Sequence, residues 1–182
     1  ISPDIAACLL VGIYTDSGGF KYDHTTAKTF LIASKLAKIY PNFSELIFEV
    51  ENNDSASNLK LLGQLLKQIE ISNHLAIASM SYKELRKLKL ENDVSVNGQV
   101  ANMLKSVVGW DIGISLTEVD YHRVLASFRT RNSKKYNLGN IAKATGFGGG
   151  HLAAAGASFP YSINKTKKLI KETIAKLYPE IL

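Results

Sequence analysis

Apolar positions along the 182-residue chain follow two rhythms, one of 3.6 residues and one of 2, and these predict an α/β protein. The chain opens Ile1-Ser2-Pro3-Asp4 and enters an apolar run, Ile5 to Leu10, which Ser2 or Asp4 is placed to cap as a short helix. Val11-Gly12-Ile13-Tyr14-Thr15 reads as a short buried strand, closed by the turn signal Asp16-Ser17-Gly18-Gly19. Thr25 to Tyr40 is an amphipathic helix with Phe30, Ala33, Ala37 and Tyr40 on one face, stopped by Pro41. A second helix over Ser57–Ile69 puts Leu62, Leu65, Leu66 and Ile69 on one stripe. Between these helices lies the polar run Glu51 to Ser55, and Ile71-Ser72-Asn73 follows. A domain boundary is expected near residue 72, separating domains 1–72 and 73–182.

The second half predicts a strand over His74–Met80 and helices over Ser81–Leu88 and Val96–Val107, with Val100, Met103, Leu104 and Val107 in register. Ile112, Ile114 and Leu116 alternate with small or polar residues, as in a half-buried strand. Tyr121–Arg129 is a second strand with Val124, Ala126 and Phe128 on one face, and Glu118-Val119-Asp120 is the hairpin link. A helix over Leu138–Thr145 leads to Gly146-Phe147-Gly148-Gly149-Gly150-His151. Ala153–Phe159 is a short strand, and a helix over Lys165–Leu177 closes the chain with Leu169, Ile170, Thr173, Ile174 and Leu177 inward.

Composition narrows the function. The chain is 46% hydrophobic, enough for a real core, and no apolar run approaches the roughly 20 residues needed to span a bilayer. No membrane partner is expected. Cys8 is the only cysteine, which excludes an intramolecular disulfide or a cysteine zinc site and fits a reducing cytoplasm. Within its apolar run Cys8 is expected to be buried. A formal charge of +6 favours anionic partners such as nucleic acid or nucleotides.

Three local patterns carry candidate chemistry. Gly148-Gly149-Gly150 is costly in backbone entropy unless backbone must approach a ligand or adopt positive φ, and its N–H groups suit an anion nest, with His151 placed to donate to a phosphate. Arg129 and Arg131 supply planar forks for phosphate at a strand end. Asp16, at the tip of the expected strand, suits a hard divalent cation. Read singly, each has a plain structural alternative: a glycine turn, solvated arginines, a capping aspartate. His24, His74 and His122 show no ligand spacing and read as surface or partly packed residues.

Together the patterns resemble one family. Val11 to Phe20 followed by Thr25-Thr26 is similar to the last metal-ligand motif of DHH phosphoesterases. Ser127-Phe128-Arg129-Thr130-Arg131, and Gly148 to His151 followed by Ala154-Ala155-Gly156, are similar to the DHH-associated C-terminal domain, in the family's order. Within the family the chain most resembles bacterial oligoribonucleases that also dephosphorylate 3′-phosphoadenosine 5′-phosphate. The resemblance implies the end of a parallel-sheet DHH domain followed by a smaller mixed-sheet substrate-binding domain. It implies two Mn²⁺ (or Mg²⁺) ions on the first domain with Asp16 as a ligand. It assigns Arg129 and His151 to substrate phosphate, Gly148–Gly150 to the pocket and Asn97 to the cleft, with Arg131 as a further substrate-binding residue lining the same pocket, and it implies short RNA or nucleotide phosphates as partners. No catalytic residue is assigned. The Asp-His-His triplet is absent and expected upstream of Ile1, so the chain by itself is expected to hydrolyse little; a homodimer is left open. Other readings stay in view: a cyclic or linear dinucleotide phosphodiesterase, a non-catalytic nucleotide- or RNA-binding module, and an α/β domain whose glycine segment is structural.

Overall fold

The protein is described by a computed structural model over residues 1–90 and 97–182. It forms two compact units, Ile1–Asp54 and Ser55–Leu182.

The first unit is helical. Helix α1 (Pro3–Asp16) starts at Ser2, whose hydroxyl accepts the Ile5 N–H at 3.4 Å, with Pro3 in the first turn where its missing N–H costs nothing. The strand expected over Val11–Thr15 is instead the continuation of this helix. A five-residue apolar run has no period of its own, and the Thr15 hydroxyl donates back to the Val11 carbonyl at 2.8 Å within the helix. Cys8 is exposed, correcting the expected burial. Ala6 and Leu10, one turn apart, take the buried face with Leu36, and Cys8 falls on the opposite side. Helix α2 (Ala27–Ile39) follows a capping box between Thr26 and Thr29, as the Thr25–Tyr40 reading requires. Ala33, Ala37 and Tyr40 pack on the small core, but Phe30 is exposed in this unit. Helix α3 (Phe43–Glu51) had no counterpart in the sequence reading.

The second unit is a six-stranded mixed sheet in the order β1-β2-β3-β4-β6-β5. Helix α4 (Ala56–Lys67) precedes β1 (Ile69–Ser72), which pairs antiparallel with β2 (Leu75–Met80). Leu61 and Leu65 of α4 are fully buried with Ala76, Ala78 and Met80 of β2, so α4 and β1 belong to this unit. The compact units therefore divide at Asp54/Ser55, whereas the sequence reading places the boundary near residue 72. Helix α5 (Tyr82–Leu88) starts at a capping box between Ser81 and Glu84. Helix α6 (Asn97–Ser106) buries Val100, Ala101 and Leu104, leaving Met103 and Val107 exposed. The expected helix start at Val96 lies outside the described residues.

β3 (Ile112–Asp120) runs parallel to β2 and antiparallel to β4 (Arg123–Thr130). It is buried on both faces through Glu118, not half-buried as its alternation implied. Its small positions carry a helix: a Cβ at Gly113 would stand 2.6 Å from the Ala101 carbonyl and 2.7 Å from the Leu104 Cβ, so α6 lies directly on the strand there. On the opposite face, α7 (Leu138–Ala144) and α8 (Ile163–Leu177) supply Leu138, Ile141, Ala142, Ile170 and Ile174 to a core shared with Ile112, Ile114, Leu116, Val124, Phe128 and Phe159. Gly148–Gly150 form the edge strand β5, paired with β6 (Ala154–Phe159), and are not the open loop the sequence implied.

Candidate functional site

The two faces of the sheet have different chemistry. Cross-strand partners in an antiparallel ladder share a face. Ser115, Ser127, Gly156 and Gly149 are such partners across β3, β4, β6 and β5, and one step along lie Gly113, Arg129 and Ala154. On β3 this face is closed by α6: the buried Asn97 accepts hydrogen bonds from the Ser115 hydroxyl at 2.9 Å and the Thr117 hydroxyl at 2.6 Å. Beyond β4 the face opens. Ser127 and Gly149 are partly exposed and Gly156 is exposed, and a Cβ added at Gly149 would meet nothing within 4 Å. The result is a flat shelf of serine, glycine and alanine, with polar backbone near its surface.

Arg129 borders this shelf. Its guanidinium donates to the Phe128 carbonyl at 2.9 Å and lies beside α6, since a Cβ on Gly98 would come within 3.3 Å of Nη2. His151, exposed, follows the shelf's outer strand. Its N–H donates to the Ala154 carbonyl at 2.8 Å, and Ala154 is also the register partner of Arg129. Arg129 and His151 thus flank one β6 residue, their backbones roughly 10 Å apart at two strand spacings. The turn carrying His151 is fixed by α7, whose first N–H groups, from Leu138 and Gly139, donate to the Leu152 and His151 carbonyls at 3.0 and 3.1 Å. Gly139 lets α7 approach this close: a Cβ there would be 2.6 Å from the Gly150 carbonyl.

Other sequence candidates fall elsewhere. Arg131 sits one residue past the end of β4, and its guanidinium donates to the Ser106 and Val107 carbonyls at 3.2 and 2.7 Å. It therefore closes the C-terminus of α6. Asn97 is brought close to the shelf, but its carbonyl oxygen is engaged by two buried hydroxyls. Gly148 and Gly150 are packed against β6, where a Cβ at Gly150 would come within 2.5 Å of the Ala155 Cα and one at Gly148 would overlap the Gly156 carbonyl. Only Gly149 of the three faces the shelf. Ser127 and Gly156 were not singled out as site residues, although the alternation of β4, with Val124, Ala126 and Phe128 inward, already put Ser127 on the face of Arg129.

Asp16 lies at the C-terminal end of α1 in the first unit, exposed, with Oδ2 3.6 Å from Nε2 of His24. The sequence spacing had not linked these two residues. Divalent ions such as Mn²⁺ and Mg²⁺ take about six ligands, mostly oxygen. Among the described residues no group of three or more His, Cys, Asp or Glu side chains is placed to hold a metal ion, so Asp16 and His24 do not by themselves fit the two ions implied by the resemblance. In the same unit the Tyr14 hydroxyl donates to Glu51, and that hydrogen bond, with burial and the carboxylate charge, raises the phenol's pKa. Among the described residues no helix is long and apolar enough to cross a membrane.

The second unit is thus a mixed α/β domain whose sheet carries a serine–glycine shelf, an arginine at its border and a glycine–histidine edge held by α7. The family model of the DHHA1 domain matches residues 73–177, more than half of the chain, and the chain belongs to that family. It is 30% identical to the "Probable bifunctional oligoribonuclease and PAP phosphatase NrnA" of Streptococcus mutans, over 94% of this chain and 53% of that protein. It is 27% identical to the bifunctional oligoribonuclease and PAP phosphatase of Bacillus subtilis, over 94% of this chain and 53% of the other. An exopolyphosphatase-related protein from Bacteroides fragilis superposes with a TM-score of 0.88 at 27% identity, covering all of this chain and 52% of that one. The chain spans about half the length of the curated relatives it matches.

Proposed function

We propose that this protein is a phosphoesterase acting on short oligoribonucleotides and 3′-phosphoadenosine 5′-phosphate, and that its second unit provides the grip on the substrate. The observation that carries the reading is the open shelf of Ser127, Gly156 and Gly149, bordered by Arg129 and flanked by His151. Arg129 offers a planar, always-charged fork for a terminal phosphate. His151 offers a second donor from the opposite side, and the shelf between them has room for a flat sugar or base because no side chain rises from it. Two fixed phosphate contacts set where the chain of nucleotides starts, and such positioning accounts for removal of nucleotides from one end. A requirement for Mn²⁺ or Mg²⁺, with Asp16 as one ligand, and a cytoplasmic setting belong to the same proposal. Asp16 and His24 do not complete a metal site, so no step of the chemistry is assigned to them.

The test is binding of 3′-phosphoadenosine 5′-phosphate and a ribotrinucleotide, measured by calorimetry on the chain and on Arg129→Ala and His151→Ala. Each variant is expected to bind about tenfold or more weakly, the scale of one lost charge-assisted contact, with its thermal unfolding little changed. An Arg129→Ala titration that matches the wild type in every binding event would overturn the reading.

A further inference from the structure

A second cleft, of about 690 Å³, opens at the other end of the sheet, where β3 gives way to β4. Arg123 and Arg129 begin and nearly end β4, so the cleft lies roughly 20 Å along the strand from the shelf at about 3.3 Å per residue. Its lining combines three chemistries. Lys83, Arg86 and Lys87 occupy one face of α5 at spacings of three and four, and all are exposed. Tyr121 and His122 form the tip of the β3–β4 hairpin, their rings stacked with centroids 4.1 Å apart and planes 21° apart, and Tyr121 is 76% exposed. Glu118 is 93% buried by its 7% residual exposure, yet it lines the cleft.

Glu118 is the informative residue. Its Oε2 accepts the Tyr82 N–H at 3.1 Å; among the described residues its other oxygen has no partner and no cation pairs with it. With one oxygen held by the Tyr82 N–H, the carboxylate is fixed in place and its other oxygen is left as an acceptor at the cleft wall. Cations on a helix face alone are ordinary solvated surface, but they do not explain a cavity, a stacked pair of rings and an acid behind them. The three groups match the three parts of a nucleotide. Lysine and arginine take phosphate, an exposed ring pair takes the face of a base, and a carboxylate oxygen takes an amino group on the base edge.

We propose that this cleft is a second nucleotide-binding site, for a nucleotide whose base carries an exocyclic amino group. The phosphate sits on Lys83, Arg86 and Lys87, the base stacks on Tyr121 and His122, and the amino group donates to Glu118. Uracil, which has no amino group and flanks its one ring N–H with carbonyl oxygens, is disfavoured. The ligand is either a free nucleotide or one nucleotide of an RNA strand. The site is separate from the shelf and does not depend on its assignment.

The experiment is calorimetric titration of the chain with adenosine 5′-monophosphate, uridine 5′-monophosphate and a riboadenosine tetramer. Tyr121→Ala and Lys83→Ala/Lys87→Ala, which remove exposed side chains, are each expected to weaken adenosine monophosphate or tetramer binding about tenfold or more. Arg129→Ala is expected to leave this binding event in place. Glu118→Gln is expected to erase the preference for adenosine over uridine monophosphate. Equal binding of the monophosphate and the tetramer identifies a free nucleotide as ligand; binding of the tetramer alone identifies a strand. Binding unchanged in both Tyr121→Ala and the lysine double variant, or no binding event beyond the one that Arg129→Ala removes, would overturn the proposal. Should Arg129→Ala not fold, the cleft variants decide instead: a wild-type binding event lost in both Tyr121→Ala and the lysine double variant supports the proposal, and binding unchanged in both overturns it.

Discussion

Gly148, Gly149 and Gly150 are chemically identical and adjacent, yet their surroundings differ enough to separate packing from binding. A Cβ at Gly149 enters open space above the shelf, whereas one at Gly148 overlaps the Gly156 carbonyl of the paired strand. Gly149→Ala is therefore expected to fold with equal or slightly higher stability, because it removes unfolded-state freedom without a clash. The same methyl stands where the substrate would lie, so affinity for a ribo-oligomer should fall by about 1–3 kcal/mol. Gly148→Ala should instead lower stability by about 1–3 kcal/mol. Thermal unfolding and calorimetry on both variants check the pair, and a Gly149→Ala protein that binds normally would remove the shelf from the site. The arginines make the same point. Arg129 and Arg131 share strand parity in sequence, but β4 ends at Thr130, and the turned chain sends Arg131 to the carbonyls ending α6. Parity predicts a shared face only while the strand lasts.

At the scale of elements, the second unit was more legible than the first. Helices α5, α7 and α8 and strands β2, β4 and β6 fall within a few residues of their expected places. Local signals mark several of them: α5 carries a capping box, α7 a side-chain cap from Asn137 and β4 a regular alternation. The misreadings have physical causes. Val11–Thr15 continues an apolar stretch of α1 that includes the exposed Ile5 and Leu9, and a short apolar run without a period of its own reads equally as strand or helix. β1 is a four-residue edge strand attached directly to α4, so Ile69 was absorbed into the helical stripe. β5 contains only glycine, and its strand character comes entirely from pairing with β6. What holds β1 in place has a pH signature. Glu70 is held below its ordinary pKa of 4.5, chiefly by a 2.5 Å hydrogen bond from Lys167, against some desolvation and with the charges of Lys167 and Lys171 adding. A depressed folded-state pKa contributes stability that is fully present above 4.5 and is lost as pH falls through the folded value. Because Glu70 is nearly half exposed, its contribution is small. Glu70→Gln should flatten the fall in stability below about pH 4.5 and lower stability slightly at pH 7. Urea titrations at pH 3.5, 4.5 and 7 read both effects, and parallel curves for variant and wild type would exclude this ion pair as a source of acid sensitivity.

For the molecule as a whole, the family match and the packing draw different edges. The DHHA1 model begins at residue 73, where the sequence reading also places the boundary, but the compact unit begins at Ser55. The difference is α4 and β1. Leu61 and Leu65 are fully buried against β2, and β1 covers the outer edge of β2 from Leu75 to Ala78. Residues 55–182 are accordingly expected to fold alone, with a single cooperative unfolding transition and a dispersed amide spectrum. Residues 73–182 lose two fully buried leucines, and each such loss costs on the order of 2–5 kcal/mol. That sum is comparable to the whole stability of a typical domain, about 5–15 kcal/mol, so this shorter piece is expected to be largely unfolded or to associate through the bared face of β2. Comparing the two by circular dichroism and amide spectra decides the matter, and equal stability would show that α4 only decorates the unit. The outcome also bears on binding: Arg129, His151 and the shelf all lie after residue 73, yet α6, which packs beside Arg129, shares its core with Leu61 and Leu65 through Val100 and Leu104. Loss of α4 should therefore loosen the helix that positions the arginine, and residues 55–182, rather than the family segment by itself, form the smallest piece expected to keep the grip on substrate.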